Sequence, residues 1–144
     1  GKADGYKGGM DELSICGESV VHEFSDSTIK KSYTLRPEDV GLNTVPFVEI
    51  ATTGDLKAER KRFLRVLTGK GHQGCIDFTC FNAGATLYIG GHAKSSKEGV
   101  RMSQNAINSG AAIDKLKRWV SVQNADADRG IACLSKELQS LKTE

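Results

Sequence analysis

Hydrophobic and polar positions alternate early in the chain, in a pattern typical of β-strands. Residues 28–35 alternate between polar positions and apolar ones such as Ile29 and Leu35, and residues 18–24 carry two adjacent valines. Between these segments, residues 25–27 are Ser, Asp and Ser, which favour turns. Alternation with a period of two indicates strands, so the pattern predicts a β-hairpin.

A short connector is predicted after the hairpin. Pro37 suits the first position of a helical turn, and Gly41 is able to end that turn. Residues 45–50, which include Phe47 and Val48, are rich in residues that favour strands. This segment is therefore predicted to be extended.

From residue 54 onwards, hydrophobic positions recur at helical spacing. Gly54 and Asp55 provide an N-cap for a first helix, and Gly69 ends it. Residues 77–89 are apolar on nearly every side, which predicts a buried second helix. Ser95 begins an S-x-x-E capping box for a third helix, which is expected to end at Gly110.

Two further helices complete the predicted elements, and the last is expected to be a surface helix. Their hydrophobic positions recur at helical spacing, at Ile113, Leu116 and Val120 and then at Ile131, Leu134, Leu138 and Leu141. The chain is thus predicted to form one hairpin and about five helices. Because two strands alone are marginally stable, the hairpin indicates a piece of a larger sheet.

Composition places the chain among ordinary globular proteins. Its 144 residues suit one domain, and 38% hydrophobic residues with a mean hydropathy of −0.36 argue against disorder. No apolar run approaches the roughly 18 residues of a membrane span, and no signal peptide is visible at the start, so a cytoplasmic protein without a membrane partner is expected. The net charge of +2 is too small to indicate nucleic-acid binding by itself.

The cysteines give no sign of a metal or redox motif. Cys16, Cys75, Cys80 and Cys133 form no C-x-x-C pair and have no histidine at zinc spacing. They are expected to be reduced thiols that are mostly buried.

The strongest chemical candidate is a glycine-rich loop that ends in two acids. Gly8 and Gly9 are followed by Met10, Asp11 and Glu12. Hard cations such as Mg²⁺ take one or two carboxylates and complete their shell with water and phosphate oxygens. The pair is therefore a candidate magnesium site, although adjacent acids are also common as solvated loop residues.

Two weaker candidates have structural alternatives. Residues 69–74, rich in glycine, could cradle a phosphate but lack the Walker spacing, and a loop between helices is the favoured interpretation. Basic residues near Trp119 could hold an anionic polymer, although solvated helix faces with Trp119 in the core are favoured. They are Lys94, Lys97, Lys115, Lys117 and Arg118.

Several segments, taken in order, closely resemble the C-terminal part of the anthranilate phosphoribosyltransferases. They run from Gly9-Met10-Asp11-Glu12-Leu13-Ser14 through Leu35-Arg36-Pro37-Glu38-Asp39-Val40-Gly41-Leu42 and Phe81-Asn82-Ala83-Gly84-Ala85-Thr86-Leu87-Tyr88 to Lys97-Glu98-Gly99-Val100. The likeness extends from about residue 9 to residue 120. Their order and spacing carry it more than any one segment does.

The resemblance implies an enzyme that transfers the phosphoribosyl group of phosphoribosyl pyrophosphate to anthranilate, with release of pyrophosphate, in tryptophan biosynthesis. By the same resemblance, Asp11 and Glu12 match the acidic pair that holds a Mg²⁺ engaged with the pyrophosphate. The physics is compatible with that role, because a bound metal stabilises the negative charge of the departing pyrophosphate.

The resemblance also implies an α/β fold in which residues 1–144 form the C-terminal portion of the phosphoribosyltransferase domain. Its hairpin would join a larger, mainly parallel sheet. The N-terminal helical domain and the glycine-rich phosphate-binding loop precede this region in the family and are expected to be missing from the chain. A chain without them would be inactive alone, and the complete protein is expected to be a homodimer.

Two other functions stay open at this point. Paralogues of the same fold bind nucleic acid without the transferase reaction, and Tyr6 and Lys7, which depart from the family pattern, keep that alternative open. A pyrimidine-nucleoside phosphorylase of similar architecture is a weaker third alternative. The acidic pair favours the transferase.

Overall fold

An antiparallel hairpin is the sheet of the described part of the chain. The structure is a computed structural model that describes residues 1–4, 7–25, 27–123 and 125–141. Strand β1, Ser19–Ser25, pairs with strand β2, Thr28–Leu35, and the register is irregular between Glu23 and Phe24. The predicted hairpin is confirmed, although Asp26 of its turn lies outside the described residues.

Five α-helices follow the hairpin, as the hydrophobic spacing predicts. They are α1 (Leu56–Leu67), α2 (Gln73–Ile89), α3 (Ser96–Asn108), α4 (Ala111–Gln123) and α5 (Ala127–Ser140). The predicted caps are present: the Asp55 carboxylate accepts hydrogen bonds from the backbone N–H groups of Lys57 and Ala58. At the start of α3, Glu98 N–H donates to Ser95 Oγ at 3.2 Å.

Two sequence predictions are wrong in their local detail. Residues 45–50 are not extended, because Phe47–Glu49 forms a 3₁₀ turn in which the Ile50 and Ala51 N–H groups donate to the Phe47 carbonyl. Pro46 precedes the turn and has no N–H to give to a strand ladder. Helix α2 begins at Gln73, four residues before the predicted start at 77, and so takes in the end of the predicted loop.

The described chain forms two compact units. The first unit contains residues 1–51 and 73–103, and the second contains residues 52–72 and the chain from 104 onwards. In the first unit, Ile15, Cys80 and Phe81 have no solvent exposure. The buried residues of the second unit include Leu64 and Ile107.

Helix α5, in the tail beyond the family resemblance, belongs to the second unit. It contacts α4, and Glu137 of α5 forms an ion pair with Arg60 of α1, with 3.6 Å between the charged atoms. Trp119 of α4 is 55% exposed, so the expectation that it lies in the core is wrong. Trp119 lies beside the hydrophobic stripe of α4, which is formed by Ile113, Leu116 and Val120. A hydrophobic residue beside such a stripe need not face the core.

Helix α2 is buried over its first half and open at its end. Residues 74–77 are buried, and so are Cys80 and Phe81, whereas Ile89 is 82% exposed. The prediction of a helix buried all round is therefore correct for the first half alone. Burial raises the pKa of the Cys80 thiol to about 11, so this cysteine is protonated at neutral pH.

The four cysteines, all of which lie in the described ranges, form no disulfide. Cys16, Cys75 and Cys80 are buried, and Cys133 is exposed. Across the described ranges, none of the helices has both the length and the apolar character needed to cross a membrane.

Helices α2 and α3 are in close contact at two glycines. A Cβ atom built on Gly84 would lie 2.5 Å from the backbone nitrogen of Val100. A Cβ atom on Gly99 would overlap the carbonyl oxygen of Gly84. The absence of side chains at these positions lets the two backbones touch.

Replacing Gly84 by Ala is expected to destabilise the chain. The added methyl would meet the Val100 backbone at 2.5 Å, so the cost is expected at the upper end of the range of about 1–3 kcal/mol that is usual for overpacking. Alanine recovers about 1 kcal/mol of helix propensity, which offsets part of that cost. Urea denaturation should show a net loss, whereas Thr79→Ala, at an exposed position of the same helix, should change stability by less than about 0.5 kcal/mol. A Gly84→Ala chain as stable as the parent would contradict the close contact.

Candidate functional site

The acidic pair lies on an exposed loop of the first unit. Gly9 has a φ of +67°, a left-handed conformation that glycine adopts without strain, and Met10 N–H donates to the Gly1 carbonyl at 2.8 Å. Asp11 and Glu12 follow this turn, and both are exposed. The glycine therefore turns the backbone just before the two carboxylates.

The chain is buried directly after the acidic pair. Ser14 and Ile15 have no solvent exposure, and Cys16 is 5% exposed. The backbone N–H of Ser14 donates to Ser19 Oγ at 2.8 Å, and the Val45 N–H donates to the Ile15 carbonyl at 3.1 Å. The loop is thus anchored to the core within three residues of Glu12.

A side chain of helix α2 also contacts this segment. The Asn82 side-chain oxygen accepts from the Leu13 N–H at 2.9 Å, and the Asn82 side-chain nitrogen donates to the Leu13 carbonyl at 3.0 Å. In the sequence, Asn82 stands out only as part of a segment that resembles the family. Sixty-nine positions separate the two residues, so no local pattern could reveal the contact.

The acidic pair offers two carboxylates, a type of ligand that Mg²⁺ accepts. Within the described ranges, no three His, Cys, Asp or Glu side chains converge closely enough to hold a metal ion by themselves. Mg²⁺ does not need such a cage, because it keeps several waters and binds phosphate oxygens alongside one or two carboxylates. Two exposed carboxylates on an anchored loop suit that mode of binding.

A cavity of about 480 Å³ lies beside the hairpin in the first unit. Its lining includes Leu13, Val21, Leu35 and Ile89, so it is mostly apolar. No local sequence pattern indicates this cavity, because its lining residues come from distant segments.

A carboxylate at this cavity joins two tyrosines. Glu23 accepts from the Tyr33 hydroxyl at 2.8 Å and from the Tyr88 hydroxyl at 3.2 Å. Burial, together with the hydrogen bond to Glu23, raises the pKa of Tyr33 to about 12. Both phenols remain protonated at neutral pH and connect β1 to β2 and to α2.

The weaker sequence candidates belong to different units or to a loop between helices. Lys94 and Lys97 belong to the first unit, whereas Lys115, Lys117 and Arg118 belong to the second. Lys117 donates to Asp114 at 2.9 Å. In the glycine-rich segment 69–74, Gly71 lies against the end of α1, where an added Cβ would be 3.0 Å from the Val66 nitrogen. Tyr6 lies outside the described residues.

The chain belongs to the glycosyl transferase family, and the model of that family's a/b domain matches residues 5–113. The curated relatives that it matches include anthranilate phosphoribosyltransferases. The one from Polynucleobacter necessarius is 40% identical over 114 residues, which are 79% of this chain and 33% of the relative. The resemblance found in the sequence is confirmed, and the chain spans about a third of the length of these relatives.

Solved structures agree with the hairpin and five helices described above. The anthranilate phosphoribosyltransferase of Thermus thermophilus matches with a TM-score of 0.67 at 35% identity, over 78% of this chain and 32% of that one. The Saccharomyces cerevisiae enzyme with 4-fluoroanthranilate also has a TM-score of 0.67, at 26% identity over 80% of this chain and 33% of its own. A variant of the yeast enzyme is described with Mg bound.

Proposed function

We propose that this chain is the C-terminal portion of an anthranilate phosphoribosyltransferase, with residues 1–144 forming part of its α/β domain. The complete enzyme would transfer the phosphoribosyl group from phosphoribosyl pyrophosphate to the amino group of anthranilate and release pyrophosphate. The observation that carries the proposal is the exposed pair Asp11 and Glu12 on an anchored loop, in a chain of this family.

The acidic pair would supply the metal-binding part of the reaction. When bound there, Mg²⁺ would neutralise charge that builds on the departing pyrophosphate. Asp11 and Glu12 would hold it by their carboxylate oxygens, with water and pyrophosphate oxygens completing its coordination. Gly9 would keep the backbone turned so that both acids face solvent, where the phosphates arrive.

The remaining parts of the site would come from elsewhere in the complete protein. Because the chain spans about a third of its relatives, the phosphate-binding loop and the N-terminal helical domain are proposed to lie outside it. The hairpin would join the larger, mainly parallel sheet of that protein. The homodimer and the cytoplasmic location stay predictions for the complete protein.

The chain alone should not catalyse the transfer. Positioning of both substrates supplies much of the rate in such a reaction, and the proposed binding groups for the sugar phosphate are outside this chain. The purified chain, with phosphoribosyl pyrophosphate, anthranilate and Mg²⁺, should leave anthranilate fluorescence unchanged. Turnover on the order of 1 per second or faster would contradict this expectation.

A chimera tests the function directly. Residues 9–123 of this chain would replace the matching C-terminal part of the Thermus thermophilus enzyme, and the purified chimera would be assayed for loss of anthranilate. Activity within about tenfold of the parent would support the proposal, because the transplanted residues would then complete a working site. A folded chimera without activity would contradict it.

One observation favours the nucleic-acid-binding alternative. Trp119 is 55% exposed on α4, and Lys115 and Arg118 are exposed on the same helix. Exposed aromatic rings beside basic side chains are able to stack bases and bind phosphates. An inactive chimera, together with binding of a single-stranded oligonucleotide that Trp119→Ala abolishes, would decide for this alternative.

A further inference from the structure

We propose that Asn82 is a positioning residue, which holds the backbone after Glu12 so that Asp11 and Glu12 present their carboxylates to a divalent cation. The inference deepens the proposed function and rests on it. Its basis is the pair of hydrogen bonds, 2.9 and 3.0 Å long, between the Asn82 amide and both backbone polar groups of Leu13. Leu13 is the residue next to Glu12.

The amide is the chemical group that this contact requires. An N–H and a C=O of one residue need one acceptor and one donor side by side, and a carboxamide offers both. The second hydrogen of the Asn82 nitrogen is directed to the Phe78 carbonyl, which is 3.0 Å away. These contacts define the orientation of the amide, because a flipped group would face Leu13 N–H with a donor and both carbonyls with an acceptor.

The contact between Asn82 and Leu13 connects the buried half of α2 to the exposed acidic loop. Cys80 and Phe81, directly before Asn82 on α2, have no solvent exposure. Asp11 and Glu12 are exposed and follow glycines that allow the backbone many conformations. Asn82 therefore transmits the fixed position of the helix to the start of the acidic loop.

Fixing the loop should strengthen metal binding without any contact to the metal. A cation that binds two neighbouring carboxylates must restrict their backbone, and a loop that is already held loses less conformational entropy on binding. Groups that orient metal ligands in this indirect way commonly change metal affinity by about 10–100-fold. An exposed site with two carboxylates is expected at or below the lower end of that range.

The test uses the 144-residue chain and Mn²⁺ alone as the probe. Asn82→Leu retains the approximate shape of the side chain and removes all of its hydrogen bonds. Electron paramagnetic resonance of free Mn²⁺ gives the dissociation constant, and hydrogen exchange followed by NMR reports the Leu13 amide. Thr79→Ala, an exposed position on the same helix whose hydroxyl donates within the helix, is the matched control.

Asn82→Leu should weaken Mn²⁺ binding by about three- to tenfold and should speed exchange at Leu13 by about tenfold or more. The Thr79→Ala chain should match the parent in both measurements. A merely structural role would lower the unfolding midpoint of Asn82→Leu and leave the Mn²⁺ dissociation constant unchanged. If Asn82→Leu does not fold, Asn82→Ala is measured in the same way.

Asp11→Asn with Glu12→Gln separates this inference from the function on which it rests. If the double variant loses Mn²⁺ binding but Asn82→Leu binds as the parent does, the positioning role is overturned and the metal site stands. If the double variant binds Mn²⁺ as tightly as the parent, the metal site fails, and the positioning role fails with it.

Discussion

Removing both charges of the acidic pair should reduce catalytic efficiency about a hundredfold. Asp11→Asn with Glu12→Gln, made in the active chimera, would take away the two carboxylates that hold Mg²⁺ against the pyrophosphate. Loss of a metal interaction with developing charge costs several kcal/mol, and a hundredfold decrease in kcat/KM corresponds to about 2.7 kcal/mol. The fold should survive, because both side chains are exposed.

The pattern of kinetic changes distinguishes this role from a general loss of activity. The Mg²⁺ concentration needed for half-maximal rate should rise and use of phosphoribosyl pyrophosphate should weaken, whereas anthranilate binding should stay nearly unchanged. Asp114→Asn, which removes one exposed acid on α4, is the control. It should not change the Mg²⁺ dependence, the use of phosphoribosyl pyrophosphate or the binding of anthranilate. If the two acids are solvated loop residues without a role, the double variant should have the same Mg²⁺ titration and the same kcat/KM as the parent chimera.

The largest loss of stability is expected at Phe81. Its side chain has no solvent exposure in the first unit, and Phe→Ala at such a site removes buried apolar surface and leaves a cavity. The expected cost is about 3–5 kcal/mol in the free energy of unfolding, measured by urea denaturation of the chain. This is a large fraction of the total stability of a domain of this size.

Phe63→Ala provides the matched control for Phe81→Ala. Phe63 lies on α1 and is 50% exposed, so the same truncation should cost clearly less, about 1 kcal/mol. A loss below about 0.5 kcal/mol for Phe81→Ala would mean that its ring is not buried in solution. A loss at Phe63→Ala as large as the loss at Phe81→Ala would contradict the difference in burial between the two rings.

The elements of the fold could be predicted from the sequence because their signals are local. The period-two alternation at residues 28–35 marks β2, and the cap at Asp55 marks the start of α1. The structure of Phe47–Glu49 was predicted wrongly. β-propensity reports only how well a side chain fits a sheet, and Pro46 has no backbone N–H to pair with a neighbouring strand. Trp119 was expected in the core, with the neighbouring basic residues on solvated helix faces, but its side chain is 55% exposed.

The sequence by itself determined the order of hairpin and helices and the candidate acids Asp11 and Glu12, because these depend on residues close together in the chain. It also determined the family resemblance, which depends on the order of segments along the chain. Only the tertiary structure decided how the acidic loop is held and where α2 and α3 meet. The Asn82 contact with Leu13 and the approach of Gly84 to Gly99 join residues distant in sequence. Such contacts arise from folding of the whole chain, and a pattern of neighbouring residues carries no record of them.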